Sequence, residues 1–596
     1  VALAKQQLIR EVARVLTQGC FLFVEFVFTL GEEMKDFRRP RTGEEFYESF
    51  EGAPLLTAVL TYLSFLMLNI LGRLQDFLRL IHVLENHSVA EVPHTKSFVP
   101  LYSSYEAFYT RNLYRRAQDC WCRPICSAPG SEIVVMDRKS PDYGWTLNFT
   151  GTKSKVLNFG SYNYLGFGDP TGPCTNATEK ATIKFGVGVA SSRQEAGSLI
   201  LHKELEDLVA EFVGQEAAIV FSMGFSTNSL NLPCLVDKDC CVVSDELNHT
   251  SLVLGCRLSG ATIRRFKHND MEDLEKILQD SVVYGRPRTH RPYKKILVVV
   301  EGIYSMEGSI LHLPEVIALK KKYNAYLYLD EAHSIGALGQ MGRGVADYFG
   351  VDPRDIDISM GTFTKSFGSS GGYIAGNRKL IDYLRSMSYN TVYGCSMPAP
   401  LAQQIISSIK IIMGKDVPGE GERRIKCLAE NIRYFRARLH EMRLIVYGNR
   451  DSPVVPVIVY MPAKLVAFSR RCLELGLGTV VVGFPATTLL LSRVRFCISS
   501  AHTRELLDRA LDIIEQVSEE IGICYSKQPI PEWAKEILYK DKSHRYTNGF
   551  LKNIEPSVNK LLKKSVHTDT VSNSISLRKR CLKRDTNEKC GINTHF

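Results

Sequence analysis

The sequence has little net charge outside its C-terminal end. The whole chain of 596 residues carries a formal charge of +10 at pH 7. The segment from Lys527 to Phe596 alone holds 15 Lys and Arg against 7 Asp and Glu, a surplus of 8. The rest of the chain is therefore nearly neutral, which argues against a nucleic-acid-binding groove on its folded part.

The basic end of the chain, 527–596, is rich in Ser, Thr and Asn and is predicted to be a disordered tail. Attraction of this tail to anionic lipid headgroups and a solvated tail without function both stay open.

The sequence also lacks the cysteine patterns of a secreted or zinc-binding protein. Its 16 cysteines are scattered through apolar runs, and no convincing cleavable signal peptide is present, so we interpret them as reduced thiols. The cluster of Cys120, Cys122 and Cys126 has no histidine or second cysteine pair at zinc-like spacing nearby. No metal site is predicted.

One segment is long and apolar enough to cross a bilayer. Residues 52–72 include no charged side chain and follow Arg38, Arg39 and Arg41, which predicts a transmembrane helix rather than a buried core helix. Residues 73–99 are interpreted as an amphipathic juxtamembrane helix and linker. Residues 1–51 are interpreted as a cytosolic or interfacial segment.

Beyond Pro100 the pattern is typical of an α/β protein. Short apolar runs that end in polar residues alternate with amphipathic stretches, and no internal repeat is visible. The strands predicted for a large domain over 181–400 are Ala217–Phe221, Cys240–Val243, Ile296–Val300, Ala325–Leu329 and Ile356–Met360. An N-terminal arm over 100–180 precedes that domain. A smaller domain over 401–526 follows, with strands at Val454–Tyr460 and Thr479–Val482.

Two residues after neighbouring predicted strands indicate a particular chemistry. Asp330 follows one strand and Lys365 follows the next. A lysine that forms a Schiff base and a carboxylate that keeps a pyridine nitrogen protonated together suit pyridoxal 5'-phosphate (PLP). Taken alone, Asp330 is more simply a capping residue and Lys365 a solvated lysine.

Neighbouring motifs support the PLP interpretation. The stretch Phe221–Asn228 follows a strand and can open a helix, so that its backbone N–H groups could hold a phosphate. Thr362 and Thr364 add hydroxyl groups beside the lysine. His249 follows another strand and could lie flat against a planar ring, although a helix cap is an equally good reading.

Together these motifs resemble the α-oxoamine synthase family of fold-type-I PLP enzymes. More narrowly, they are similar to the catalytic long-chain-base subunits of serine palmitoyltransferase, of the subunit 2 or 3 type. The resemblance covers roughly 50–526, and its blocks are SYNYLG (161–166), SDELNHTS (244–251), EGIYSMEGS (301–309), DEAHSIGALG (330–339), GTFTKSFGSSGGYIAG (361–376) and VVVGFPAT (480–487).

The resemblance implies a role for each site residue. Lys365 would form the Schiff base, Asp330 would pair with the pyridine nitrogen, and His249 would stack on the ring. His333 would hydrogen-bond the ring 3-hydroxyl, and Arg495 would clamp the amino-acid carboxylate. The residues that would hold the phosphate are Thr362, Thr364, Gly224 and Phe225. Arg493, two residues from Arg495 on the same strand face, is the alternative carboxylate ligand.

The implied reaction is the decarboxylative condensation of L-serine with a long-chain acyl-CoA to 3-ketosphinganine. The resemblance also implies an endoplasmic reticulum membrane protein with one span and a cytosolic catalytic domain. Its implied partners are a homologous subunit that lacks the lysine, small activating subunits and ORM-type regulators.

Three alternatives stay open at this point. One is a related synthase that uses glycine and a short acyl-CoA, against which the apolar segment argues. Another is a non-catalytic scaffold subunit, against which Lys365 argues. The third is a membrane-anchored interaction module, which would need no such set of strand-end residues. The segment 386–400 departs from the family pattern, so its contacts to acyl chain or partner are not predicted.

Overall fold

The part of the chain that the structure, a computed structural model, describes contains fifteen strands. The structure describes residues 46–81, 83–84, 98, 108, 110–142 and 144–541. The strands are β1 Glu48–Ser49, β2 Glu132–Lys139, β3 Asn148–Asn158, β4 Ala217–Phe221, β5 Cys241–Asp245, β6 Thr262–Phe266, β7 Ile296–Glu301, β8 Tyr326–Asp330, β9 Ile358–Thr362, β10 Gly372–Gly376, β11 Gly448–Asn449, β12 Val454–Ile458, β13 Leu477–Gly478, β14 Val480–Val482 and β15 Arg493–Cys497.

Helices cover and connect these strands. In chain order they are α1 Leu55–Leu80, α2 Pro173–Phe185, α3 Ile200–Val213, α4 Gly224–Ser229, α5 Leu232–Leu235, α6 Thr250–Ser259, α7 Met271–Tyr284, α8 Leu313–Lys322, α9 Val345–Phe349, α10 Arg378–Met387, α11 Tyr389–Tyr393, α12 Ala399–Ile412, α13 Glu420–Glu441, α14 Pro462–Glu474 and α15 Arg504–Ile521. The chain divides into a unit over Val1–Pro529 and a second over Ile530–Phe596, in which the described residues include a helix at 532–541.

A seven-stranded sheet forms the centre of the first unit, in the order β4-β10-β9-β8-β7-β5-β6. Only β10 runs antiparallel to its neighbours, and β9, β8, β7, β5 and β6 are parallel. The predicted α/β fold with a mostly parallel sheet is confirmed. Parallel strands align their carboxyl ends at one edge of the sheet, where such folds bind ligands.

Both faces of the large sheet are buried. Val298 and Val300 of β7 point into one apolar cluster, and Leu297 and Val299 point into another on the opposite face. All four side chains are at most 2% exposed. A strand that is buried on both faces consists of a continuous run of apolar residues. These strands could therefore be predicted from the sequence.

The predicted strands of this sheet are all present, with ends shifted by up to two residues. Four of them extend further toward the carboxyl edge than predicted, to Asp245, Glu301, Asp330 and Thr362. The backbone ladder continues through these polar residues, because Glu301 and Asp330 are register partners across β7 and β8. The antiparallel β10 was not predicted.

Three smaller sheets complete the described part of the first unit. Strands β12, β15 and β14 form one of them, β13, β3 and β2 form another, and β1 pairs with β11 in the third. The pairing of β13 with β3 joins the predicted arm to the predicted small domain. The predicted boundary between 400 and 401 falls within α12, so the domain limits stay a prediction.

Helix α1 is continuous from Leu55 to Leu80, whereas the sequence predicted a span and a separate amphipathic helix. Its segment Leu55–Arg79 is, among the described residues, the one helix long and apolar enough to cross a membrane. Its charged end is accommodated by pairing: Arg79 donates to Asp76 at 2.7 Å, and Arg111 donates to the same carboxylate at 2.9 and 2.7 Å. The predicted segment over 1–51 lies mostly outside the described residues, as does the tail beyond 541.

Candidate active site

The carboxyl edge of the large sheet brings the predicted site residues together. Asp330 is the last residue of β8 and Thr362 the last residue of β9. Lys365 follows β9 by three residues, and His249 lies between β5 and α6. The strand order therefore collects side chains that are more than 100 residues apart in the sequence.

Asp330 is buried and firmly held. Its Oδ1 accepts the backbone N–H of Ala332 at 2.8 Å, and its Oδ2 accepts the amide of Asn228 at 2.7 Å. The Asn228 carbonyl oxygen accepts the Tyr328 hydroxyl at 2.8 Å, which fixes the amide so that its NH₂ group faces the carboxylate. The two donors fix the orientation of the carboxylate.

The same amide links Asp330 to His249. Asn228 also donates to the Ser251 hydroxyl at 2.9 Å, and that hydroxyl lies 2.7 Å from His249 Nδ1. His249 caps α6 by accepting the Ser251 N–H at 3.3 Å, and its ring meets the edge of Phe225 at 6.0 Å. Burial lowers the pKa of His249 below its ordinary value. The structure therefore shows the helix cap, whereas stacking of His249 on a cofactor ring stays a prediction.

His333 lies in a more enclosed position. Its Nδ1 shares a hydrogen bond of 2.8 Å with the Tyr164 hydroxyl, and its ring packs against the edge of Tyr162 at 5.3 Å. Burial, together with the charges of Lys365 and Arg495, lowers the pKa of His333 well below its ordinary value. The imidazole is therefore neutral, and its partner on Nδ1 is fixed.

Lys365 is half-buried near Asp330 and Glu301, the acidic residues that end β8 and β7. Its Nζ lies 5.7 Å from the centre of the Tyr162 ring. Burial lowers the pKa of Lys365 to about 8, an effect that Arg495 reinforces and that Asp330 and Glu301 oppose. A lysine with this pKa has a usable neutral fraction near physiological pH, as a nucleophile or a base requires.

The two candidate arginines on β15 differ in what they contact. Arg493 is only 1% exposed, and it donates to the Leu491 carbonyl at 2.9 Å, the Met306 carbonyl at 2.5 Å and the Glu307 carboxylate at 3.2 Å. Its guanidinium is thus occupied by protein acceptors.

Arg495 keeps free hydrogen-bonding capacity. Its guanidinium stacks over Tyr162 at 4.9 Å and donates to the tyrosine hydroxyl. Its buried Nε has no hydrogen-bond partner in the part of the chain that the structure describes. A buried guanidinium N–H without a partner is costly unless a ligand accepts from it. The geometry therefore favours Arg495 over Arg493 as the carboxylate ligand.

The residues predicted to hold a phosphate lie near one another at the carboxyl edge. Helix α4 starts at Gly224, three residues after the end of β4, and a Cβ added at Gly224 would lie 3.0 Å from Thr362 Cγ2. The α4 N-terminus therefore packs closely against the end of β9. The Thr362 hydroxyl donates to the Ala332 carbonyl at 3.4 Å, and Thr364 and Phe225 are exposed.

Several residues at this edge were given no role by the sequence reasoning. They are Tyr162, Tyr164, Asn228, Ser251 and Glu301. A signal existed for Asn228, because it lies four residues after Gly224 on one helix and so faces the same side. Glu301 ends an apolar run as Asp330 does, and the same rule would have singled it out.

Comparisons with known proteins agree with this geometry. Residues 154–514 match the family model described as aminotransferase class I and II. The chain is 55% identical to serine palmitoyltransferase 3 of Homo sapiens, over 83% of this chain and 90% of that protein. It is 51% identical to long chain base biosynthesis protein 2b of Arabidopsis thaliana, over 79% of this chain and 96% of that protein. A solved structure of serine palmitoyltransferase with a PLP internal aldimine aligns with a TM-score of 0.61 and 28% identity, over 71% of this chain and 100% of that one.

Proposed function

The chain belongs to the serine palmitoyltransferase family, a group of PLP-dependent transferases, and on that basis we propose that it is the catalytic subunit. Its reaction would be the condensation of L-serine with a long-chain acyl-CoA, the first step of sphingolipid synthesis. The observation that carries this proposal is Lys365, a half-buried lysine at the same sheet edge as Asp330. A scaffold subunit has no need for a lysine with a lowered pKa at that place.

The residues present fit PLP. Gly224 at the start of α4 lies next to Thr362 at the end of β9, and Asp330 is a buried acid with two fixed donors. When bound there, PLP supplies an electron sink that stabilises negative charge on the substrate carbon. The phosphate would be held by Thr362, Thr364 and the backbone amides of Gly224 and Phe225.

The protein side chains would divide the remaining work. Asp330 would pair with the ring nitrogen, His333 would hydrogen-bond the ring hydroxyl, and His249 would lie against the ring. Lys365 would hold the cofactor and would take the proton from the serine Cα. Arg495 orients the serine carboxylate through its planar fork of donors.

The net reaction balances without a further reactant. A bond forms between the serine Cα and the acyl carbonyl carbon, and the thioester C–S bond breaks with release of CoA. The serine carboxyl leaves as carbon dioxide, the proton held by Lys365 returns to Cα, and the CoA thiolate takes up a proton from solvent, which gives 3-ketosphinganine and CoA.

The membrane supplies one substrate and receives the product, because the acyl chain partitions into lipid. We propose that α1 anchors the chain in the endoplasmic reticulum membrane as a single span, with the catalytic part in the cytosol. The partners proposed for it are a homologous subunit without the lysine, small activating subunits and ORM-type regulators. In support, α1 is a continuous apolar helix, and its charged end is paired with Arg111.

The choice of amino acid tests the function directly. We expect the complex purified after co-expression with the lysine-lacking subunit to convert L-serine and a long-chain acyl-CoA to a ketone product, with glycine far slower. Turnover of glycine with short acyl-CoA and none of serine would favour the related synthase. No turnover of any amino acid by a complex that binds PLP would favour a scaffold role.

Cofactor incorporation should depend on pH through Lys365. The neutral amine of Lys365 attacks the PLP aldehyde. Because the pKa of Lys365 is lowered, this neutral amine forms at a lower pH than the neutral amine of an ordinary lysine does. We therefore expect the rate of PLP incorporation into cofactor-free protein to rise through pH of about 8 and then to level off. Stopped-flow absorbance measures this rate. A rate that still climbs near pH ~10, where an ordinary lysine titrates, would contradict the role assigned to burial.

A further inference from the structure

Three carboxyl groups end neighbouring parallel strands at the carboxyl edge of the sheet. They belong to Asp245 on β5, Glu301 on β7 and Asp330 on β8. The sheet order places β7 between β5 and β8, and all three residues are at most 3% exposed. Glu301 is therefore the middle member of a row of buried acids.

The outer two acids have partners that stabilise a negative charge. Asp330 accepts from Asn228 and Ala332. Asp245 lies 3.0 Å from His268 Nδ1 and also accepts the N–H groups of Leu247 and Asn269. Burial on its own raises the pKa of Asp245, but His268 and these donors outweigh it and lower that pKa.

Glu301 has no comparable compensation. Its Oε1 accepts the backbone N–H of His249, and within the described residues it makes no ion pair. The charged and titratable groups that face it are Asp330, Asp245, Lys365, His249 and Tyr304. Burial, followed by the nearby charge of Asp330, raises the pKa of Glu301 well above its ordinary value, and the hydrogen bond from the His249 N–H and the charge of Lys365 offset this only in part.

We propose that Glu301 is held as a neutral carboxylic acid and acts as a positioning residue for His249. Neighbouring buried carboxyl groups cannot all ionise, and the proton goes to the one with the fewest donors, which is Glu301 with the single His249 N–H. The carbonyl oxygen of the neutral acid still accepts from the His249 backbone. This inference rests on the proposed function, in which His249 lies against the cofactor.

The hydrogen bond from the His249 N–H to Glu301 is one of three contacts that hold the turn at 247–249 in place. Asn248 donates to the Val299 carbonyl at 2.8 Å, and Leu247 donates to Asp245 at 2.9 Å. Glu301 adds the anchor at the residue that carries the imidazole. A neutral Glu301 also leaves Asp330 as the charged acid available to the ring nitrogen.

Infrared difference spectroscopy of the cofactor-free protein tests the protonation state. We expect the spectrum of wild type minus Glu301→Gln at neutral pH to contain the C=O band of a protonated carboxyl. The matched control, wild type minus Asp245→Asn, should contain carboxylate bands instead, because the pKa of Asp245 is lowered by His268. Carboxylate bands in the Glu301→Gln difference would overturn the proposal. This measurement does not use turnover, so its outcome is separate from that of the proposed function.

Kinetics of the loaded complex tests the positioning role. Glu301→Gln keeps a neutral acceptor, so we expect a kcat within about threefold of wild type and an unchanged pH profile, whereas Glu301→Ala should lose about 10- to 100-fold. A Glu301→Gln variant as slow as Glu301→Ala, or with a shifted pH profile, would contradict a neutral role. If the variants do not fold, the infrared pH titration of wild type decides: absence of a protonated carboxyl at neutral pH overturns the proposal.

Discussion

Replacing Lys365 with alanine should abolish condensation while the complex stays assembled. The variant loses both the covalent attachment of the cofactor and the base for the serine Cα proton. Loss of a positioned proton-transfer group alone lowers a rate by about 10²- to 10⁴-fold. We expect product formation in the co-expressed complex to fall at least that far, measured by chromatography of the lipid product.

A matched lysine variant separates this effect from general damage. Lys203 lies on α3 in an exposed ion pair with Asp207, and both side chains are 65% exposed. Such pairs contribute little to stability, so Lys203→Ala should leave turnover unchanged. Near-normal turnover by Lys365→Ala would show that this chain is not the catalytic subunit.

Replacing Arg495 with glutamine should selectively weaken the use of serine. Hydrogen bonds to a charged group contribute roughly 1.5–3 kcal/mol, which corresponds to a fall in kcat/KM for serine of about 10- to 150-fold. Arg495→Lys keeps the charge but loses the planar fork, so it should recover only part of the loss. Initial rates at varied serine concentration measure this, and the KM for acyl-CoA should change little.

Arg493 provides the contrast on the same strand. Its guanidinium is committed to Leu491, Met306 and Glu307, so Arg493→Gln should mainly destabilise the fold. Breaking a buried charge pair costs about 3–5 kcal/mol, which lowers the melting temperature. The reverse pattern, with serine use lost in Arg493→Gln and intact in Arg495→Gln, would show that the two arginines were assigned in the wrong order.

The positions of the strands could be predicted because they are buried on both faces. Runs such as Ile296–Glu301 are continuously apolar and end in polar residues, so composition alone located them. The residues at their carboxyl ends, Asp330 among them, could be placed at one edge by the rule that parallel strands align. The antiparallel strand β10 was not predicted, because its sequence GYIAG is short and glycine-rich. Its position in the sheet depends on pairing with β4 and β9.

The hydrogen-bond network of the site could not be predicted, since it depends on contacts between distant segments. Asn228 reaches Asp330, which is 102 residues away, and Tyr164 reaches His333, which is 169 residues away. A local sequence pattern cannot indicate a contact between residues that are so far apart in the chain. Likewise, only the sheet order shows that Glu301 lies between two other acids.

The fate of the serine carboxyl group tests the central proposal most directly. The co-expressed complex is incubated with a long-chain acyl-CoA and L-serine labelled in its carboxyl carbon, and the products are analysed by mass spectrometry. We predict labelled carbon dioxide and unlabelled 3-ketosphinganine in equal amounts, and neither product from the Lys365→Ala complex. A labelled lipid product, or consumption of acyl-CoA without labelled carbon dioxide, would contradict it.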